Sequence, residues 1–90
     1  MANNNKILEK GNNVFIRTVT HYHTGEIVDK DNLGITLGTA AWIPDTGRFS
    51  TALKGGVLNE VEPFPGPVFI PYASIIDATL WKHPLPTEQK

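Results

Sequence analysis

Apolar and polar positions alternate over long parts of this chain, and the alternation predicts a mainly β protein. The pattern is clearest in residues 75–80, where apolar side chains at every second position fall on one side. A period of two with one polar side is typical of a half-buried strand. The β-branched and aromatic residues at 68–70 predict a short strand before it, and Pro71 predicts a break between the two strands.

Earlier parts of the chain predict three more strands. We expect them at residues 14–20, 26–30 and 33–43, with Gly25 either closing a turn or bending the second of these strands. In the first of these strands Val14 and Ile16 share one face and Phe15 and Val19 the other, so we expect it to bury parts of both faces. The side chains expected in the core are Val14, Ile16, Ile27, Ile35, Leu37, Phe69, Ile76, Ala78 and Leu80.

Two short helices are also expected. Three asparagines at 3–5 are good N-caps, and residues 6–10 after them can form a turn or two of helix. Apolar residues at helical spacing predict a second helix near residues 46–54, with Asp45 or Thr46 as its cap.

Length, charge and composition narrow the class of protein. The 90 residues make one domain, 1–90, with loose ends expected at 1–5 and 83–90. The 8 Lys and Arg residues are scattered among 9 Asp and Glu residues, so no basic face is visible, and there is no cysteine. No apolar run reaches the roughly 18 residues of a membrane span, and residues 1–10 lack the core of a signal peptide. We therefore expect a cytoplasmic protein with no membrane partner.

One triplet resembles a catalytic motif. Asp45-Thr46-Gly47 is the triplet of small dimeric aspartic proteases, in which two carboxylates share one proton. In those enzymes the triplet ends an apolar strand, whereas here Pro44 precedes it and the late apolar segment contains no glycine. A helix start is the favoured interpretation, and the protease is the third alternative for function.

Two histidines could form a metal site. His21 and His23 would lie on one face of an extended chain, and Glu26 or Asp29 could complete a ligand set. The alternative is an exposed polar turn, because no further ligand has suitable spacing. No nucleotide or cofactor motif is present, so we expect no cofactor and no enzymatic activity.

Two motifs resemble the Sm/LSm family, and the resemblance covers most of residues 6–81. The first Sm motif is similar to Gly25-x-Ile27-x-x-x-Asp31 followed by Ile35-x-Leu37, and the second to Phe69-Ile70-Pro71-Tyr72-x-x-Ile75. Small uncharacterised Sm-like proteins of phage and bacterial genomes are similar in further stretches, at 40–43, 45–49, 58–63 and 77–79.

The resemblance implies a small, strongly bent five-stranded barrel with a short N-terminal helix and a short inserted helix. Members of the family form rings in which the fourth strand of one subunit pairs with the fifth strand of the next. The implied partner is therefore the chain itself, in a cyclic homo-oligomer from pentamer to heptamer. The implied interface residues are Val68, Phe69, Ile70, Ile76, Ala78 and Leu80.

The family binds single-stranded RNA, which implies a ligand pocket near Asp31, Asn32 and Tyr72. Where the family has a basic residue in its last tight turn, this chain has Pro71-Tyr72. This difference leaves two functions open. One is an RNA-binding ring, for which the resemblance to phage proteins implies a phage origin and a location in the host cytoplasm. The other is an assembly or adaptor ring that binds protein and not nucleic acid.

Overall fold

The computed structural model describes residues 6–90, which form six β-strands and one α-helix. The strands are β1 (Asn13–Thr18), β2 (Tyr22–Lys30), β3 (Gly34–Asp45), β4 (Glu60–Pro63), β5 (Val68–Pro71) and β6 (Ile75–Leu80). The helix α1 (Phe49–Gly55) lies between β3 and β4, and a 3₁₀ turn, Tyr72–Ser74, joins β5 to β6. None of the helices in this part of the chain is long and apolar enough to cross a membrane.

All strands belong to one antiparallel sheet with the order β4-β3-β2-β1-β6. The remaining strand, β5, also pairs with β3. Since β2 occupies one edge of β3, both β4 and β5 must lie along the other edge, β4 beside the second half of β3 and β5 beside the first. The mainly β prediction is confirmed. The sheet has six strands, where five were predicted, and it does not close into a barrel.

Two irregularities bend the long central strands. The pairing of β2 with β3 shifts by one residue beside Gly25, so this glycine lies inside β2 and bends it. Thr39 on β3 has a φ of 46°, a left-handed conformation that is uncommon outside glycine. Gly34 allows β5 to approach β3, because a Cβ there would lie 2.3 Å from the Ile70 carbonyl oxygen. The bend predicted at Gly25 is therefore present, and Gly34 allows β5 to lie close to β3.

The sheet is buried on both faces. Successive residues of β1 point to opposite faces, and Val14, Phe15 and Ile16 are all buried. The first core cluster, on one face, consists of Val14, Ile16, Ile27, Ile35, Leu37, Ala40 and Ile70. The second core cluster, on the other, consists of Phe15, Ala41, Ile43, Ala52, Leu58, Val61 and Trp81. The helix α1 contributes Ala52 to the second cluster, which explains why so short a helix is retained.

Three of the nine predicted core residues are exposed instead. Ile76 is 56% exposed because β6 carries an extra residue where Thr18 pairs with Ile75 rather than with Ile76. A one-residue shift turns a side chain to the opposite face, so Ile75 packs on the first cluster in place of Ile76. Phe69 is 47% exposed and Leu80 is 39% exposed. Phe69 lies opposite Thr36, so its neighbour Ile70 faces the core, and Leu80 lies at the end of the outermost strand.

Of the two predicted helices, only the second is present in the described part of the chain. Residues 6–11 form bends and a turn, so the short N-terminal helix is wrong over its described part, while the capping asparagines and the loose end at 1–5 lie outside the described residues. The second helix is present, but it begins at Phe49 with Arg48 as N-cap. Asp45 and Thr46 therefore do not cap it.

Residues 83–90, which were expected to be loose, make defined contacts. The buried Trp81 donates a hydrogen bond from Nε1 to the Pro84 carbonyl oxygen at 3.1 Å, and Leu85 packs against the second core cluster. Further on, Lys90 and Val61 exchange two main-chain hydrogen bonds of 2.9 Å. The end of the described chain thus lies along the outer edge of β4.

Candidate functional site

The turn between β2 and β3 holds two of the predicted ligand-binding residues. Asp31 Oδ1 accepts hydrogen bonds from the main-chain nitrogens of Leu33 at 2.8 Å and Gly34 at 3.1 Å. The Asp31 nitrogen donates to the Gly34 carbonyl at 3.0 Å, which closes the turn. One carboxylate oxygen of Asp31 therefore holds the turn in shape, and the exposed Asn32 lies at its tip.

Tyr72 lies beside this turn. Its main-chain nitrogen donates to the Leu33 carbonyl oxygen at 2.9 Å, which continues the pairing of Pro71 with Gly34. The tyrosine side chain is partly exposed at the start of the 3₁₀ turn. The structure thus brings Asp31, Asn32 and Tyr72 to one end of the sheet, although the two segments are about 40 residues apart in sequence.

Two of the cations near the predicted sites already have partners. Lys30, next to Asp31 in sequence, donates from Nζ to the Leu8 carbonyl oxygen at 2.9 Å. Arg17 on β1 forms an ion pair with Asp77 on β6. The hydrogen bonds that Arg17 donates to Asp77, followed by the negative charge of Asp77, raise the pKa of Arg17. Neither side chain is a free cation for a phosphate backbone.

The outer edges of β5 and β6 carry main-chain groups without a strand partner in the described chain. The Trp81 main-chain nitrogen donates to the Asn13 carbonyl oxygen, so the N–H and C=O groups of Trp81 point towards β1. Because these groups alternate in direction along a strand, those of Ala78 and Leu80 point away from β1. On β5, the bond from Tyr72 to Leu33 likewise directs the groups of Phe69 away from β3. These are the groups through which another strand could pair.

The predicted interface residues differ in exposure. Phe69, Ile76 and Leu80 are exposed, Val68 and Ala78 are partly buried, and Ile70 belongs to the first core cluster. A groove of about 250 Å³, lined in part by Arg17, Val19 and Ile76, lies beside β6. Exposed apolar side chains therefore accompany both unpaired edges.

The two histidines lie in a row of rings at the start of β2. The His21 and His23 ring centroids are 6.0 Å apart, Trp42 lies 5.3 Å from His21, and Phe64 stacks on His23 at 5.9 Å. Burial, followed by the charge of His21, lowers the pKa of His23. Asp29 accepts a hydrogen bond from the nitrogen of Lys30. Across residues 6–90, no group of three or more histidine, aspartate or glutamate side chains is placed to hold a metal ion.

Asp45-Thr46-Gly47 forms a turn. Asp45 Oδ1 accepts from the Gly47 nitrogen at 2.8 Å, and Asp45 Oδ2 accepts from Asn59 Nδ2 at 3.4 Å. Gly47 has a φ of 70°, and a Cβ there would lie 2.8 Å from Asn59 Oδ1. The triplet begins at the last residue of β3 and leads towards α1, and the Asp45 carboxylate orders this connection.

Sequence reasoning missed the contact between β4 and the end of the chain. The prolines at 63, 65 and 67, all after Val61, suggested a segment outside any central ladder, and prolines at 84 and 86 suggested a loose tail. The contact joins residues 29 positions apart and has no local signal. A lone apolar Val61 between two glutamates was the available hint, because such alternation is typical of an edge strand.

Comparison with protein-family models, with curated proteins and with solved structures finds no match to this chain.

Proposed function

We propose that this protein is an Sm-like subunit that assembles into a ring and binds single-stranded RNA at the end of the sheet that carries Asp31, Asn32 and Tyr72. The observation that carries the proposal is that the last two strands, β5 and β6, lie at different borders of one sheet, each with an unpaired outer edge. A ring that pairs the fourth strand of one Sm subunit with the fifth of the next needs these two edges.

Ring closure accounts for features that a monomer leaves unexplained. An apolar edge strand is a template for another chain, and pairing around a closed ring leaves none of these edges exposed. Phe69, Ile76 and Leu80 would then be covered by neighbouring subunits. Each main-chain hydrogen bond across an interface would contribute about 0.5–1.5 kcal/mol. The expected stoichiometry is a pentamer to heptamer.

Tyr72 is the residue on which RNA binding depends in this proposal. An exposed aromatic ring can stack on a base, with about 1–3 kcal/mol per base lost on replacement by alanine. Asp31 would act by shaping the turn, and Asn32 would offer hydrogen bonds to a base. A ring repeats this small site in every subunit, so weak individual contacts add up through multivalency.

The second candidate function is an adaptor ring that binds protein. The specific observation in its favour is that Arg17 and Lys30 are engaged in internal contacts, so the ligand end lacks these cations. Nucleic-acid binding without such cations would have an unusually weak dependence on salt. Origin in a phage and location in the cytoplasm remain predictions from sequence.

Filter binding with single-stranded oligoribonucleotides tests whether RNA is the ligand. The assay is run at about 50 to 300 mM salt, the range over which contacts to phosphates are lost. We expect binding that Tyr72→Ala weakens about tenfold or more, since the loss of one stacked base costs about 1–3 kcal/mol. Leu33→Ala, an exposed side chain in the neighbouring turn, is the matched control and should bind as the unaltered protein does. Absence of binding at low salt would reject RNA and leave the adaptor.

A further inference from the structure

Two of the three histidines lie side by side at the start of β2, and we call them the histidine pair. His21 comes directly before β2, and His23 is the second residue of this strand. Side chains two positions apart in an extended chain project to the same face, and the two ring centroids are 6.0 Å apart. A metal ion about 2.0–2.1 Å from one nitrogen of each ring allows ring centres up to about 6.5 Å apart. The two imidazoles are therefore close enough to bind one ion together.

One nitrogen of His21 is already engaged. Its Nδ1 lies 2.5 Å from the Thr20 hydroxyl oxygen, and its Nε2 has no hydrogen bond within residues 6–90. When Nδ1 donates to this hydroxyl, the lone pair that can bind a metal ion is on Nε2. Metal-binding histidines commonly have such a partner at the second nitrogen, because it fixes the tautomer and the orientation of the ring. Thr20 therefore orients His21 as a ligand.

Aromatic rings, and not hydrogen bonds, hold the side chain of His23. Neither of its ring nitrogens has a hydrogen-bond partner among the described residues, and its Nδ1 is buried. Phe64 stacks on the imidazole at 5.9 Å, and Trp42 lies opposite His23 in the pairing of β2 with β3. Burial, followed by the charge of His21, lowers the pKa of His23, so the imidazole is neutral at pH 7. A neutral imidazole with an unused nitrogen is the form that binds metal ions.

The third histidine has a different environment. His83 Nε2 lies 2.8 Å from the Leu53 carbonyl oxygen, and its ring packs against Trp81 at 4.9 Å. Gly56 makes room for the imidazole, since a Cβ there would lie 2.6 Å from His83 Cγ. His83 is therefore a histidine beside a tryptophan, as His21 is, but its Nε2 already has a partner.

We propose that the histidine pair binds one divalent transition-metal ion through one nitrogen of each imidazole. Imidazole suits Cu²⁺, Ni²⁺ and Zn²⁺, and among these ions Cu²⁺ binds most tightly. Within residues 6–90 no third histidine, aspartate or glutamate joins the pair, so water completes the coordination. Closed structural sites have four protein ligands, whereas a site with open positions can exchange its ion and accept a further ligand. The ion is therefore exchangeable and accessible from solvent.

Fluorescence of the full chain during titration with Cu²⁺ tests this proposal, because Cu²⁺ quenches indoles close to it. The titration is run at about pH 7.5, where an ordinary histidine is neutral. Trp42 lies 5.3 Å from His21, so its emission should fall as one ion binds per subunit. His21→Gln and His23→Gln should each weaken binding about tenfold or more, since the loss of even an outer-shell partner costs about 10–100-fold. Excess Zn²⁺, which does not quench, should displace Cu²⁺ and restore the emission.

The matched control is His83→Gln, which also removes a histidine beside a tryptophan and should leave the affinity for Cu²⁺ unchanged. Circular dichroism of each variant checks the fold, and the exposed His21 can be replaced without disturbing the core. Absence of quenching, or an unchanged affinity in either His21→Gln or His23→Gln, would overturn the proposal, because the two imidazoles would then not share an ion. An equal loss in His83→Gln would also overturn it. The site uses neither the outer edges of β5 and β6 nor the turn at Asp31, so the result is independent of ring formation and of RNA binding.

Discussion

The same border of the sheet is closed along β4 and open along β5. Both strands lie against β3, and both are four residues long. On β4 the outward groups of Val61 bond to Lys90, whereas on β5 the outward groups of Phe69 have no partner in the described chain. The protein thus covers one half of an edge with its own tail and leaves the other half, together with β6, available to another strand.

The two edges also differ in how they are protected. Proteins commonly protect edge strands with prolines, charges, bulges or covering segments, because exposed edges promote aggregation. β4 has Pro63 at its end, two glutamates and the covering tail, and its pairing with β3 shifts register between Trp42 and Asp45. β5 and β6 instead present Phe69, Ile76 and Leu80 to solvent. One edge is therefore covered by the chain itself, whereas the next has exposed apolar side chains and no covering segment in the described chain.

The largest effect is expected from a proline on the open edge. Ala78→Pro removes the main-chain N–H of Ala78, which points away from β1, and keeps the bonds between β6 and β1. The ring should therefore dissociate while the subunit remains folded. Analytical ultracentrifugation should show monomers, and circular dichroism should show the β signal of the unaltered protein. Val57→Pro, at an exposed apolar residue away from both edges, is the control and should leave the assembly intact. An Ala78→Pro variant that sediments as the unaltered protein does would contradict pairing through β6.

Removing the buried Trp81 side chain should destabilise the fold. Trp81 is buried in the second core cluster, and Trp81→Ala should lower the free energy of unfolding by about 3–5 kcal/mol. Phe69→Ala, on the open edge, should change the stability of the subunit by far less, because its side chain is half exposed. Urea denaturation of both variants checks this contrast. Equal losses that do not depend on protein concentration would mean that Phe69 is part of the subunit's own core, whereas a loss that does depend on it would come from a subunit interface.

A smaller effect is expected where the tail closes the β4 edge. Lys90→Pro removes the donor to the Val61 carbonyl, a bond worth about 0.5–1.5 kcal/mol when fully protected. Hydrogen exchange of the Val61 amide should become faster, while exchange in β1 and β2 stays unchanged. Thr87→Pro is the matched control, since Thr87 makes no hydrogen bond within residues 6–90. Identical exchange at Val61 in both variants would show that Lys90 does not hold the edge.

Stability should depend weakly on pH through a contact between β4 and β5. Phe64 lies between β4 and β5 and stacks on His23, whose pKa is lowered in the folded protein. Because the unfolded chain then binds a proton more readily, stability should fall as pH decreases below about 6.5, the ordinary histidine value. Thermal unfolding between pH 7.5 and 5.5 should show this slope, and His23→Gln should reduce it. A slope unchanged by His23→Gln would assign the effect to other groups.

Sequence reasoning was most successful where the pattern was local. Alternation located five of the six strands and five fully buried core residues, and the apolar stripe located α1 within a few residues. It failed where tertiary structure decides the register, since the extra residue on β6 turns Ile76 outward and brings Ile75 inward. No sequence period encodes that shift.

The candidate ligand site could also be predicted from the sequence only in part. The grouping of Asp31, Asn32 and Tyr72 followed from resemblance to the Sm family, and the structure places them at one end of the sheet. That Lys30 and Arg17 are engaged elsewhere was not predictable, because each partner depends on the three-dimensional arrangement. The contact of Lys90 with Val61 was missed for the same reason.

Native mass spectrometry of the unaltered protein at micromolar concentration tests the central claim most directly. If β5 of one subunit pairs with β6 of the next, a single closed species between pentamer and heptamer should dominate, and Ala78→Pro should convert it to monomer. A monomer as the main species of the unaltered protein would contradict the claim, because its open edges would then have no partner of their own kind.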